Sequence, residues 1–196
     1  MARSLARRQA RVAERSDEEL MQALGGGELA AFDALFRRHY ETVRTLCARV
    51  SASDAAGDDL AQETFLRVLR HRATFRGDAR FTTWIYRIAR NVCLEQIARQ
   101  ARDRRIAERW SAEAATGSAE DRSDDTDVLA AAMRSLTAEQ REVLVLSRYH
   151  DLAFGEIGEI LGCSAGAARV RAHRALVALR EAYRNLDASD LLRHKA

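Results

Sequence analysis

Carboxylates and arginines fall into two neighbouring stretches of this 196-residue chain. Asp58-Asp59-Leu60-Ala61-Gln62-Glu63-Thr64-Phe65 is acidic and amphipathic. Helical spacing turns Leu60, Phe65, Leu66 and Leu69 inward and leaves Asp59, Gln62, Glu63 and Arg67 on the outer face. Such a face suits a partner with a basic surface. Acids near a helix start also complement its dipole, so a purely local role for Asp58 and Asp59 stays open. From Phe75 to Asn91 the chemistry reverses. Phe75, Phe81, Trp84 and Tyr86 interleave with Arg76, Arg80, Arg87 and Arg90 around Gly77 and Asp78. Rings stack on unpaired bases while guanidiniums hold the phosphate backbone. Core packing of Phe81 and Trp84 is the plainer account of the same pattern.

A third candidate lies near the carboxyl terminus. At about 100° per residue, Arg169, Val170, His173, Arg174 and Val177 share one face. Ala168, Ala172, Ala175, Leu176, Leu179 and Tyr183 share the opposite one. Small residues at a helix start let its backbone approach DNA, and arginine can bridge O6 and N7 of guanine. A solvated basic face is the alternative.

The elements that must position these groups are all helical. Ser16 and Glu19 form a capping box, and the helix they open is stopped by Gly25-Gly26-Gly27. That glycine run has neither a preceding strand nor a following Lys-Ser/Thr, so it is not a phosphate loop. Residues 28–50 form a second helix through Leu29, Phe32, Leu35, Phe36, Tyr40, Val43, Leu46 and Val50. A loop is expected over 51–57, with the next helix starting at or near Asp58. A further loop, 71–80, pivots on Gly77. A long helix then begins at Phe81, with Trp84, Ile85, Ile88, Val92 and Ile97 inward. Residues 111–128 carry six acids against Arg122 and few large apolar groups, the composition of a flexible linker. Beyond it, Thr137 and Gln140 cap a helix. Phe154 to Leu161 then form a short helix, Gly162 stops it, and Ser164 starts the last one. This is a helix-turn-helix arrangement. The expected fold is all-α, with two helical domains joined by a flexible acidic linker.

Composition bounds the function. Net charge is only +3, so distribution matters more. Residues 1–15 carry five arginines against Glu14 and read as a solvated tail. Lys195 is the single lysine, and the other Lys and Arg positions are all arginine, which suits planar, bidentate recognition; codon bias in a GC-rich genome produces the same usage. No proline interrupts the helices. Cys47, Cys93 and Cys163 lack metal-site spacing and point to reduced thiols in cytosol. No metal site, cofactor, secretory signal or membrane span is expected. No Ser/His/Asp set or nucleotide loop supports an enzyme.

With these motifs in order, the chain resembles the extracytoplasmic-function (ECF) group of bacterial RNA polymerase sigma factors, of the sigma-70 family. Asp58 to Phe65 looks like region 2.2, which binds the clamp helices of the polymerase β′ subunit. Phe75-Arg76-Gly77-Asp78 through Asn91 looks like regions 2.3 and 2.4, which melt and read the −10 element. Glu139-Gln140-Arg141 with the helix-turn-helix looks like region 4, which reads the −35 element. The resemblance implies core-polymerase binding by Asp58, Asp59, Gln62, Glu63 and Phe65. It implies a −10 surface of Gly77, Asp78, Ala79, Arg80, Trp84, Arg87, Arg90 and Asn91, and a −35 surface of Arg141, Arg169, Val170, His173 and Arg174.

The expected division is 1–15 extension, 16–108 region 2, 109–128 linker, 129–186 region 4 and 187–196 tail. Implied partners are core RNA polymerase (β′ clamp helices and β flap), promoter DNA and an anti-sigma factor. The free chain is expected to be a cytoplasmic monomer without membrane insertion. Ala56, where an acid is common, leaves the clamp contact fewer charges. Gly158 and Ala168, in place of bulkier residues, imply a looser or differently packed helix-turn-helix. Val170, where a small polar residue is common, implies altered base preference. A stand-alone helix-turn-helix regulator is the competing reading; it would not need the stretch from Asp58 to Asn91.

Overall fold

The computed structural model describes residues 14–111, 128–149 and 152–193, with side chains over 14–108, 128–148 and 152–186. The expectations for the tail 1–13 and for most of the linker lie outside these residues. All regular structure among the described residues is helical.

Helix α1 (Asp17–Gly25) opens with the expected capping box. The Ser16 hydroxyl accepts from the Glu19 amide at 3.2 Å, and Glu19 accepts from the Ser16 amide at 2.8 Å. Gly27, at φ 93°, turns the chain into α2 (Leu29–Ser51).

The expected loop over 51–57 is much shorter, because α3 (Asp54–His71) starts four residues before Asp58. Ala52 takes a left-handed conformation at φ 57°, and the Ser53 hydroxyl caps the Ala56 amide at 3.3 Å. Gly57 is therefore helical. A Cβ there would stand 3.0 Å from the Ala48 Cβ and 3.3 Å from the Arg44 carbonyl oxygen, so its bare backbone lets α2 and α3 close together. Asp58 consequently sits in the second turn, where the dipole account of it fails.

A 3-10 turn (Arg72–Thr74) and a loop lead into α4 (Phe81–Ser111), which runs past the expected boundary at 108. The amino-terminal core gathers Leu20, Leu24, Leu35, Val43, Phe65, Phe81 and Ile85. Phe36 bridges Tyr40 and Phe65, with ring centroids 4.7 and 4.8 Å away. Full burial of such a side chain stabilises the fold by about 1.5–3 kcal/mol. Leu66, expected inward, is 47% exposed.

The second half comprises α5 (Val128–Ser135), α6 (Ala138–Tyr149), α7 (Phe154–Leu161) and α8 (Ala165–Arg193). Thr137 and Gln140 cap α6 reciprocally. Ala168, Ala172 and Ala175 of α8 are buried, whereas Tyr183, expected on the same face, is exposed. The halves pack against each other, α6 on α2 and α7 on α4.

Gly158 corrects the expectation of a looser helix-turn-helix. It is buried where α7 meets the turn, and only a residue without a side chain fits there.

Candidate nucleic-acid interface

The outer face of α3 carries Asp59 and Gln62 in solvent. Beside it lies a groove of about 450 Å³ between α3 and α4, lined in part by Asp59, Glu63, Arg67, Glu95 and Arg99. Arg67 bridges the two helices. Its Nε donates to Glu63 at 2.8 Å, and Nη1 and Nη2 donate to the two Glu95 oxygens at 2.9 and 2.6 Å. These bonds, Glu95 first and Glu63 second, raise the Arg67 pKa; the Arg67 bond in turn lowers that of Glu95. Glu63 is thus already shared with an arginine, and Asp58 accepts from the Tyr40 hydroxyl at 2.8 Å. The Asp58 bond raises the Tyr40 pKa. The face is less acidic than the bare sequence implies. Phe65 departs from its expected role: at 2% exposure it lies under Phe32 and Phe36 and can hold α3 in place but cannot touch a partner in this arrangement.

The loop before α4 presents Gly77 (φ 76°), Asp78 and Arg80 to solvent, with Ala79 half-buried. Behind it the aromatics divide their labour. Phe81 is wholly buried and anchors α4. Trp84 is half-buried, with its ring centroid 5.4 Å from that of Phe75 in an edge-on arrangement. Core packing therefore accounts for Phe81, while Trp84 keeps part of its surface accessible. Glu18 of α1 has no role in the sequence reading, yet its carboxylate accepts from the Phe81 amide at 3.0 Å and caps α4. Arg80, the residue before the helix, has no acceptor to offer there. A cap from 63 positions upstream leaves no local signal.

Arg87 and Asn91 are exposed on α4. Arg80 and Arg90 are not presented in the same way. Arg80 pairs with Glu156 of α7 at 3.3 Å, and Arg90 meets Glu142 of α6 as an ion pair. Burial pushes the Glu142 carboxyl above the usual value, while the Arg90 charge pulls it down.

On α8, Arg169, Val170, His173 and Arg174 are all exposed on one face, as expected. Ser164 caps the helix through the Ala167 amide at 3.2 Å, and the Arg169 guanidinium lies 5.2 Å from the centre of the Phe154 ring. Arg141 is a correction. It is 8% exposed, its Nε donates to the Val50 carbonyl oxygen at 3.1 Å, and its Nη1 donates to the Leu136 and Arg134 carbonyl oxygens. Three backbone acceptors in a buried corner claim its donors, so it cannot read DNA from here. Cys47 and Cys93, distant in sequence, are buried neighbours; their mutual hydrogen bond, then burial, raise the Cys93 thiol pKa.

Among known proteins, residues 35–103 match Sigma-70 region 2, and residues 126–179 match Sigma-70, region 4. The chain is 36% identical over 163 residues to the RNA polymerase sigma factor CarQ of Myxococcus xanthus, covering 82% of this chain and 94% of that one. It is 31% identical over 165 residues to the ECF RNA polymerase sigma factor SigM of Mycobacterium tuberculosis, covering 83% and 82%. In fold it is similar to the sigma factor RpoE of Bartonella quintana, solved in complex with the anti-sigma factor NepR. That match has a TM-score of 0.60 and 23% identity, covering 78% of this chain and 96% of that one.

Proposed function

This chain belongs to the sigma-70 family as an ECF RNA polymerase sigma factor, a promoter-specific transcription initiation factor, and on that premise we propose how its residues divide the work. Asp59, Gln62 and Glu63 on α3, with Asp58 at their edge, dock on the clamp helices of the polymerase β′ subunit; Phe65 holds that helix from beneath. The loop of Gly77, Asp78, Ala79 and Arg80 receives a base extruded from the −10 element. Trp84 supports the melting surface, Arg87 and Arg90 hold backbone phosphates, and Asn91 lies beside them. Arg169, Val170, His173 and Arg174 of α8 read the −35 major groove. Arg141 braces the helix-turn-helix in place of reading DNA.

The order of events follows from the energetics. Extruding a base costs a few kcal/mol, which duplex contacts by α8 and docking on polymerase offset. Two readers on one chain raise each other's effective concentration, so neither needs high affinity alone. The observation that carries this reading is one chain presenting both an exposed basic face on α8 and a basic loop backed by aromatics before α4. A stand-alone helix-turn-helix regulator is not favoured, because it has no use for the second of these or for region 2.

We take the region 2 domain to run to the end of α4, and the helix range Phe81–Ser111 supports an end a few residues past 108. We place the chain in the cytoplasm, where core polymerase is; no helix among the described residues is long and apolar enough to cross a membrane. The work assigned here is binding and melting without covalent chemistry. The relative crystallised with an anti-sigma factor supports such a partner for this chain, covering the acidic face of α3 or the basic face of α8.

Titrating labelled protein with core polymerase tests the docking role. Asp59→Ala with Glu63→Ala should weaken binding several-fold, and Arg169→Ala should leave it unchanged. Equal binding by all variants would overturn the assignment.

A further inference from the structure

Helix α1 touches both ends of the −10 loop, although it lies upstream of the residues that match Sigma-70 region 2. It packs on the 3-10 turn that enters the loop and on α4, which leaves it. Arg80 occupies the cap position of α4: its carbonyl oxygen accepts from the Trp84 amide at 3.1 Å, the first bond of the helix. A side chain at that position usually accepts from one of the free amides of the first turn, and a guanidinium has only donors. Glu18 supplies the acceptor from another helix, taking the Phe81 amide at 3.0 Å. Its charge also complements the positive end of a 31-residue helix.

A cap borrowed from α1 leaves position 80 to an arginine and ties the exit of the loop to a separate element. The entry is tied as well, since Phe75 packs edge-on against Phe81 and Trp84. Helix α1 does not need the Glu18 bond to keep its own place. Leu20, Met21 and Leu24 bury its inner face. Asp17 pairs with Arg38 and His39 of α2, and the His39 ring centroid lies 5.2 Å from that of Phe81. Glu18 is therefore a strut from an anchored helix to the last residue boundary of the loop. Ordering a loop at the moment of binding lowers affinity, so a loop held beforehand binds more tightly.

We infer that Glu18 is a positioning residue for promoter melting: by capping α4 at Phe81 it sets the loop of Gly77, Asp78, Ala79 and Arg80 to receive the extruded −10 base. The inference rests on the proposed role of that loop.

The test titrates holoenzyme, assembled from core polymerase and full-length protein, with a labelled non-template strand carrying the −10 element that its transcripts define. Companion strands carry an abasic site at each −10 position in turn. Wild type should lose most affinity at one position, the captured base, and Asp78→Ala should erase that loss. Glu18→Ala should bind the intact strand about fivefold more weakly, the scale of one helix cap, and lose little more at that position. Glu18→Gln keeps a carbonyl oxygen at the same reach and should retain most of the wild-type affinity. Glu19→Ala breaks the cap of α1 itself and should leave strand affinity unchanged. Binding to core polymerase and to −35 duplex should be equal for all variants, which also reports that they fold.

Strand affinity in Glu18→Ala equal to wild type would overturn the inference. So would Glu18→Gln or Glu19→Ala as weak as Glu18→Ala, or a matching loss of core binding in Glu18→Ala, because each assigns the effect to charge or to general stability. Those results, with a wild type that responds to the abasic site and to Asp78→Ala, refute the strut alone. A wild type with no sensitive position, or one indifferent to Asp78→Ala, refutes the role of the loop and the strut with it.

Discussion

Gly158 and Cys163 close the helix-turn-helix on each other. The Cys163 amide donates to the Gly158 carbonyl oxygen at 2.8 Å, and a Cβ on Gly158 would stand 2.6 Å from the Cys163 carbonyl oxygen. The atoms in the way are backbone, so they cannot step aside as a flexible side chain would. Gly158→Ala should destabilise the carboxyl-terminal half by about 1–3 kcal/mol. Gly155→Ala, on the same helix with nothing within 4 Å, should not. Thermal unfolding of the two variants checks this, and equal midpoints would contradict it.

Asp17 ties α1 to α2. Its carboxylate lies 2.8 Å from His39 Nε2 and also pairs with Arg38. Burial alone would raise its pKa, but the hydrogen bond and charge of His39, with those of Arg38, bring it below the ordinary value. The resulting stabilisation is fully present above the unfolded carboxylate pKa of about 3.9 and is lost as pH falls through the lower folded value. Asp17→Asn should cost roughly 1–3 kcal/mol near neutral pH, and the gap to wild type should narrow below about pH 4. Denaturant unfolding across that range measures it; a gap that widens in acid would contradict the assignment.

Arg141 and Arg169 separate bracing from reading. Arg141→Ala leaves the Leu136 and Val50 carbonyl oxygens without their guanidinium donor. It should lower stability by about 1–3 kcal/mol. Arg169→Ala and Arg174→Ala remove exposed cations and should leave the unfolding midpoint unchanged. Each should reduce the salt dependence of holoenzyme binding to duplex promoter DNA by about one unit of slope. An Arg141 variant of unchanged stability but shallower slope would restore it to the DNA surface.

Features carried by local chemistry were legible in the sequence. The Ser16–Glu19 and Thr137–Gln140 boxes, the Gly162 stop and the exposed arginines of α8 stand where periodicity and capping put them. What escaped depends on partners distant along the chain. Gly57 reads as a loop residue until Ala48 is seen above it. Arg141, a DNA ligand by resemblance, is claimed by Val50; Phe65, turned inward by helical spacing but a docking residue by resemblance, is covered by Phe32 and Phe36. Glu18 is invisible as a cap because its helix is α4, not its own. The pairing of Arg80 and Arg90 with Glu156 and Glu142 crosses the two halves, and no spacing rule within either half reports it.

The most direct test is transcription in vitro from core RNA polymerase on a supercoiled genomic library, with and without this protein. Discrete new start sites should appear, sharing one −35 and one −10 element. Asp59→Ala with Glu63→Ala should abolish them, and Arg174→Ala should relax the preference at −35 positions alone. A folded protein that binds core polymerase yet yields no new start site, or whose start sites persist unchanged in both variants, would contradict the account.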